Sequence, residues 1–252
     1  MKATINTKNA SFDVDLNQPI DISIPISNSP NSPKAWCVDA AKIEAVVTQN
    51  FTGDVNLGGS VNFRNIFFNP HGNGTHTECV GHISKEFYSV NDINQFFFVA
   101  QLVSVTPSKT QNNDLEIGVE HFSLVEKNIE AIVVRTLPNL NAKLRMDYSN
   151  TNPPYFKNEV AEFLIKNNIK HWLVDLPSVD KEIDGGILAC HHTFWNYPQQ
   201  PAHHKTITEF IFVPDEVLDG LYLLNLQFAP FVNDASPSKP LLFKINNYVS
   251  KF

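Results

Sequence analysis

The sequence predicts a mixed α/β fold, because stretches typical of buried strands flank one clear helical stretch. Residues 96–105 and 131–136 are mainly apolar, as strands in a covered sheet are. Residues 159–168 have helical spacing, and residues 171–175 follow closely as a further strand. This order favours a sheet with some parallel pairing. No linker-like change in composition divides the chain, so residues 1–252 are expected to form a single domain of mixed β-sheet layers with flanking helices.

The remaining elements are shorter. Residues 19–26 alternate apolar and polar side chains, which predicts an early strand, and residues 27–33 form a loop rich in Ser, Asn and Pro. Residues 61–68 predict a second strand that runs directly into a segment rich in His and Gly. A polar loop is expected at 106–114, and a late strand at 221–228.

Composition excludes several classes of function. The net charge of -7 and the scattered basic residues argue against a nucleic-acid partner. No apolar stretch approaches the roughly 20 residues of a membrane span, and the N-terminus has no apolar run of a signal peptide. The cysteines Cys37, Cys79 and Cys190 are odd in number and far apart, which suits a reducing compartment. The cytoplasm is therefore the expected location.

One segment concentrates imidazole and carboxylate groups. Within twelve residues it contains His71, His76, Glu78 and His82, interleaved with glycines. Such ligands together suit zinc or manganese. On an extended strand His76 and Glu78 point the same way, and His82 stays in phase if the strand continues. The alternative interpretation is a glycine-rich turn with surface histidines.

A closed metal site needs more ligands than one segment supplies. His191 and His192 follow an apolar stretch, and either of them is a candidate ligand. Glu209 lies in an apolar strand, where a carboxylate is costly unless it is paired or ligating. The adjacent pair His203 and His204 is more typical of a surface feature.

The histidine segment resembles the signature of the cyclase-like metal-dependent hydrolases, which reads His-x-Gly-Thr-His-x-Asp-x-Pro-x-His. Four further motifs resemble those of the family and appear in family order, at residues 21–26, 134–136, 175–180 and 234–239. Together they cover nearly the whole chain. The resemblance implies the swivelling β/β/α fold over residues 1–252.

The resemblance also implies roles for individual residues. It places the metal ligands at His71, His76, Glu78, His191 and Glu209, and the catalytic groups at His82 and Glu209. The implied cofactor is a divalent metal, zinc or alternatively manganese.

This sequence departs from the family signature at three positions. The first ligand position falls on Gly72 in strict register, with His71 one residue away, and Glu78 and Val80 replace an aspartate and a proline. A single metal is therefore more plausible than a pair, and the number of ions stays open.

The function implied by the resemblance is hydrolysis of a small amide such as an N-formyl arylamine, an arylformamidase-like activity of tryptophan catabolism. The partners implied are a small-molecule substrate and other copies of the chain, as a dimer or tetramer. Phe194 and Trp195 are candidates either for an aromatic pocket or for the core. The alternatives are a non-catalytic metal-binding or small-molecule-binding protein on the same scaffold, and a cysteine nucleophile at Cys79 or Cys190.

Overall fold

A computed structural model describes residues 1–251, so Phe252, the last residue of the predicted domain, lies outside the described residues. Nineteen strands and two α-helices are present in the described part of the chain. The α-helices are α1 (Asn158–Lys166) and α2 (Ala189–Phe194). Short 3-10 turns lie at Val55–Leu57, Val80–His82, Val90–Asp92, Val119–Phe122 and Asn141–Arg145. Neither α-helix has the length and apolar character that crossing a bilayer requires.

The strands in chain order are β1 (Lys2–Asn6), β2 (Ala10–Asp15), β3 (Ile20–Asp21), β4 (Lys42–Ala45), β5 (Val47–Thr48), β6 (Phe51–Thr52), β7 (Arg64–Phe67), β8 (His76–Glu78), β9 (Phe97–Val105), β10 (Ser108–Lys109), β11 (Leu115–Ile117), β12 (Ala131–Thr136), β13 (Tyr155–Phe156), β14 (His171–Val174), β15 (Thr206–Glu209), β16 (Gly220–Asn225), β17 (Ala235–Pro237), β18 (Leu241–Lys244) and β19 (Asn246–Ser250).

A nine-stranded mixed sheet organises the molecule, in the order β17-β8-β15-β14-β12-β9-β16-β18-β3. Its centre is parallel, since β9, β12, β14 and β15 run the same way. The outer strands pair antiparallel, including β8 and β17 at one end. The predicted parallel pairing around α1 is confirmed, and so is the mixed α/β class.

The main sheet is covered on both faces, which explains why its central strands are apolar throughout. Ile132 and Val134 of β12 pack in a cluster with α1, α2 and the strands β1 and β2 of the small sheet. Ala131 and Val133 point the other way, into a second buried cluster. Side chains alternate between faces along a strand, so β12 contributes to both cores.

The predicted helix at 159–168 is confirmed. In the structure α1 begins at Asn158, and its capping residue is Asn167. Asn168 follows in the left-handed conformation, with a φ of 59°, which asparagine tolerates better than most residues.

Two predicted strands differ from those in the structure. Only Ile20–Asp21 of the predicted strand 19–26 is a strand, with an isolated bridge at Ser23 further on. Residues 64–67 of the predicted strand 61–68 form β7, but β7 pairs with β4 rather than with the main sheet. Residues 42–67 thus form a separate hairpin, here called the arm hairpin. The predicted loop 106–114 contains the short strand β10.

Candidate metal centre

The candidate centre is built around β8, which lies between β15 and β17. His76 of β8 is directly opposite Glu209 of β15, and Glu78 is opposite Ile207. Because His76 and Glu78 are two residues apart on a strand, their side chains share one face. Both are fully buried. The sheet therefore brings an imidazole and two carboxylates together from positions far apart in sequence.

Two histidines reach this face from outside β8. His191 lies on α2, and its Nε2 is 3.1 Å from Glu78 Oε1 and 3.9 Å from Glu209 Oε1. His71 precedes β8, and its Nδ1 is 3.0 Å from Glu78 Oε2. Glu78 is thus flanked by an imidazole at each oxygen.

β8 ends at Glu78 and does not continue to His82, yet His82 still reaches the centre. Beyond Glu78 the Cys79 N–H still donates to the carbonyl of Asp234, and residues 80–82 then turn as a 3-10 helix. The turn lets Gly81 approach the backbone of Tyr88, where an added Cβ would lie 2.3 Å from the carbonyl oxygen. His82 Nδ1 ends 3.8 Å from Glu78 Oε2.

The donor atoms fit a divalent metal. Three groups of potential ligands lie with their donor atoms within 4.8 Å of one another: His71, His76 and Glu78; His71, His82 and Asp234; and Glu78, His82 and His191. His76 Nε2 is buried and has no hydrogen-bond partner, since its 3.4 Å approach to Glu209 Oε2 has only ion-pair character. Glu78 Oε2 is also buried, and beyond its ion pairs with His71 and His82 it has no hydrogen-bond partner. Buried polar atoms are costly when unpaired, so these two atoms indicate a cation.

Charges in the centre are strongly coupled. Burial opposes the charge on His71, but hydrogen bonds with Asp234 and the nearby Glu78 outweigh it and raise the pKa of His71 to about 10. Burial likewise opposes the charge on His191, and its bonds to Asp180 and Glu78 raise its pKa to about 10. Without a metal, His71 and His191 are therefore both protonated at neutral pH. Their positive charges take the place of the charge that a bound cation would supply.

The two buried glutamates respond in opposite directions. Burial and the charge of Glu78 raise the pKa of Glu209. Burial also disfavours the charged form of Glu78, but His82, His191 and His71 together lower its pKa well below the usual value. Glu78 is consequently the anionic centre of the cluster.

Comparison with known proteins gives the family of this chain. The family model Cyclase, described as "Putative cyclase", matches residues 14–181. The chain belongs to the cyclase family. The kynurenine formamidase of Bacillus cytotoxicus is 29% identical over 230 residues, which cover 88% of this chain and 96% of that protein. The kynurenine formamidase of Bacillus anthracis is 28% identical over 228 residues, with the same coverage.

Solved structures agree with the cyclase fold. A potential metal-dependent hydrolase with cyclase activity superposes with a TM-score of 0.62 at 16% identity, over 90% of this chain and 97% of that one. Isatin hydrolase A from Labrenzia aggregata gives a TM-score of 0.62 at 17% identity, over 90% and 93%. At such low identity the likeness concerns the fold alone.

The structure brings together all the site residues expected from the cyclase signature. His71, His76, Glu78, His191 and Glu209 surround the unpaired donor atoms, and His82 lies beside them. Of the two alternatives on α2, His191 faces the centre, whereas His192 Nδ1 contacts the carbonyl of Tyr197. His203 and His204 are exposed and outside the cluster, as expected of a surface pair.

Two carboxylates of the centre had no role in the sequence analysis. Asp180 Oδ2 is 2.6 Å from His191 Nδ1, and its carboxylate accepts the backbone N–H groups of Cys190 and His191. Asp234 Oδ2 is 2.8 Å from His71 Nε2 and 3.5 Å from His82 Nδ1. Both aspartates lie in the motifs at 175–180 and 234–239. Their position in these motifs was the only signal for the two aspartates. No local sequence pattern predicts which histidine each of them contacts.

The aromatic and thiol candidates have structural positions. Phe194 and Trp195 are fully buried in the main core, which favours the core interpretation over an aromatic pocket. Burial raises the pKa of the Cys79 thiol to about 12, and burial also raises that of Cys190. A thiol that stays protonated at neutral pH is a poor nucleophile, so these cysteines do not suit the nucleophile hypothesis.

Proposed function

We propose that this protein is a metal-dependent amide hydrolase of the arylformamidase type, acting on a small N-formyl arylamine. The observation that carries the proposal is the convergence of three imidazoles and two carboxylates around buried donor atoms that lack hydrogen-bond partners. The similarity to kynurenine formamidases over 88% of the chain supports the choice of substrate class. In the reaction water adds to the formyl carbon, the C–N bond breaks, and formate and the amine are released.

The proposed metal ligands are His71, His76, Glu78, His191 and Glu209. A divalent ion held there supplies Lewis acidity and makes hydroxide available at neutral pH. The backbone N–H of Val179 donates to Glu209 Oε1 and so holds this carboxylate toward His76 and His191. Asp180 orients the ring of His191. Its carboxylate accepts a hydrogen bond from Nδ1, so Nε2 faces the centre.

We assign His82 the proton transfer to the departing amine. Its side chain is 31% exposed, whereas those of His76 and His191 are at most 2% exposed. The His82 ring therefore lies at the outer side of the cluster, where a substrate can reach it. An imidazole in this position can deliver the proton that the amine nitrogen needs as the C–N bond breaks. Glu209 is the second proposed catalytic group, because its carboxylate lies 3.4 Å from His76 Nε2 and can exchange a proton within the centre.

Four finer assignments belong to the same proposal. Zinc is the proposed metal, because three imidazoles with carboxylates suit zinc, and manganese is the alternative. A homo-oligomer, dimer or tetramer, is proposed because the arm hairpin exposes many large apolar side chains. We also propose that the chain forms one hydrolase domain and acts in the cytoplasm.

The deciding experiment measures metal content and activity of the purified protein beside His76→Ala. We expect about one or more equivalents of zinc or manganese in the wild type and loss of the metal in the variant, because His76 Nε2 has no other partner. His203→Ala is the matched control, since His203 is exposed and outside the cluster. N-formyl arylamines, cyclic amides and lactones are then compared as substrates.

The outcomes separate the candidate functions. Hydrolysis of the formyl arylamine, lost with the metal in His76→Ala, supports the proposal. Metal binding without turnover of any of these substrates would favour the non-catalytic binding protein. A wild type that stays metal-free when supplied with zinc and manganese would reject the hydrolase.

A further inference from the structure

The first ligand position of the cyclase signature falls on Gly72, and the structure leaves no room for a side chain there. A Cβ added to Gly72 would lie 2.5 Å from Val38 Cγ2 and 3.3 Å from the carbonyl oxygen of Ala35. The Gly72 carbonyl also accepts the N–H of Ala35, which fixes the backbone at this point. A ligand at position 72 would require this packing to change. The first ligand can therefore come only from a neighbouring residue.

His71 takes this place, held between two carboxylates. Its Nε2 is 2.8 Å from Asp234 Oδ2, and its Nδ1 is 3.0 Å from Glu78 Oε2. A neutral imidazole carries one proton. If Nε2–H donates to Asp234, the lone pair on Nδ1 faces an oxygen of Glu78 that has no hydrogen-bond partner. In the neutral form that a metal ligand requires, these two atoms repel at 3.0 Å unless a cation lies near both, and without the cation a proton on Nδ1 takes its place.

We propose that Asp234 is the positioning residue that lets the displaced His71 serve as a metal ligand. The inference rests on the proposed function and goes beyond it, since Asp234 itself is not among the proposed ligands. Asp234 fixes the tautomer in which Nε2 carries the proton and Nδ1 is free for the metal. Carboxylates that accept from the second ring nitrogen of a ligating histidine act in this way.

A second pair in the same centre has the same construction. Asp180 accepts from His191 Nδ1 at 2.6 Å, and His191 Nε2 is 3.1 Å from the other oxygen of Glu78. Glu78 is therefore flanked by two aspartate–histidine pairs, one at each carboxylate oxygen. The pair of Asp234 and His71 completes this arrangement. It occupies the side on which the family signature would place a histidine at position 72.

Asp234 also contacts the proposed proton donor. Its Oδ2 is 3.5 Å from His82 Nδ1, and the rings of His71 and His82 stack with centroids 4.2 Å apart. One carboxylate thus restrains both rings. Loss of Asp234 is expected to release a ligand and to loosen the group beside it.

The test is the affinity for Zn²⁺ alone, measured by competition with a chromogenic chelator. We expect Asp234→Asn to weaken zinc binding by about 10- to 100-fold, the usual effect of removing such a partner. His71→Ala should weaken it at least as much. The double variant should bind no more weakly than His71→Ala, because Asp234 acts through His71. Asp147→Asn is the control, since that carboxylate contacts Lys34 and Ser149 on the surface.

Cobalt(II) gives a readout that a general loss of stability would not produce. We expect Asp234→Asn loaded with cobalt to change its visible absorption bands, which report the ligand geometry, while Asp147→Asn keeps the wild-type spectrum. If Asp234→Asn does not accumulate as folded protein, Asp234→Ser removes the same carboxylate with a smaller side chain and is tested identically.

The outcomes distinguish this inference from the proposed function. Unchanged zinc affinity in Asp234→Asn, with loss in His71→Ala, would overturn the positioning role and leave the hydrolase intact. A further loss on adding Asp234→Asn to His71→Ala would also overturn it, because Asp234 would then bind the metal itself. A wild type that binds no zinc would reject the proposed function instead.

Discussion

Glu78 has one methylene more than the aspartate of the cyclase signature, and the structure gives this longer side chain a use. Its oxygens lie 3.1 Å from His191 Nε2 and 3.0 Å from His71 Nδ1. One of these imidazoles lies on α2 and the other in the segment before β8, and the carboxylate extends far enough from the strand to meet both. The replacement at 78 and the displaced first ligand at 71 therefore belong to one altered geometry.

Substitution of His82 separates proton transfer from metal binding. We expect His82→Asn to lower the rate of amide hydrolysis by about 10²- to 10⁴-fold, the usual contribution of a general acid. Its zinc content should equal that of the wild type, because the five proposed ligands remain. Activity and metal content are measured on the same preparation, with His204→Asn as the control. Loss of zinc in His82→Asn would show that His82 is a ligand.

The sequence predicted the site residues that local spacing brings together. His71, His76, Glu78 and His82 lie within twelve residues, so their clustering is visible without the fold. The partnership of His71 with Asp234 spans 163 positions, and no local pattern encodes it. Only the pairing of β8 with β17 carries Asp234 to this place.

At the scale of elements, the strands with a strong physical signal were predictable. β9 and β12 are apolar runs, because both of their faces are covered, and α1 has its own capping residue. β8 has three residues and owes its length to its neighbours rather than to its own sequence. It ends at Glu78, so His82 reaches the centre from the 3-10 turn at residues 80–82 and not from a continued strand.

The starts of β14 and β15 are joined through a buried histidine that titrates abnormally. His171 Nδ1 contacts the hydroxyl of Thr206, and the ring lies 3.8 Å from that of Phe98. Burial lowers the pKa of His171 from 6.5 to about 3. When unfolded, His171 gains a proton below pH of about 6.5, whereas the folded protein resists this down to about 3. Below pH 6.5 the unfolded state therefore binds more protons, and stability falls as the pH falls.

This linkage predicts a specific effect of His171→Asn, which keeps a donor or acceptor near Thr206. The wild type should lose up to about 1.4 kcal/mol of unfolding free energy per pH unit through this residue, and the variant should not. Urea unfolding of the metal-free proteins between pH 7.5 and 4.5 measures the difference. His203→Asn serves as the control and should give a curve parallel to that of the wild type. A curve for His171→Asn that is also parallel would contradict the assignment.

At the scale of the whole molecule, the arm hairpin concentrates exposed apolar side chains. Its exposed large apolar side chains are Val47, Phe51, Val55, Leu57, Val61, Phe63, Ile66 and Phe67. Single exposed apolar residues are ordinary, but a concentration of this kind marks an interaction surface. The last strand of the hairpin ends at Phe67, four residues before His71. An interface on the hairpin would therefore lie close in sequence to the metal centre.

Disruption of this surface should change the oligomeric state. We expect the wild type to elute as a dimer or tetramer and the double variant Phe63→Ser, Ile66→Ser to shift toward monomer, as measured by light scattering coupled to gel filtration. Both side chains are 57% exposed, so the fold should survive the change. Leu124→Ser, at a residue 86% exposed outside the hairpin, is the control. A monomeric wild type would contradict the proposed assembly.

The position of β8 between β15 and β17 has a consequence for synthesis of the protein. A growing chain exposes the histidine segment long before residues 206–209 and 235–237, the two sheet neighbours of β8, leave the ribosome. Until then the early imidazoles have neither Glu209 nor Asp234 beside them. Because metal affinity depends on a formed site, a divalent ion captured by the nascent chain would be held weakly. Tight retention of a metal ion at this centre therefore requires that the chain has been synthesised at least as far as residue 237.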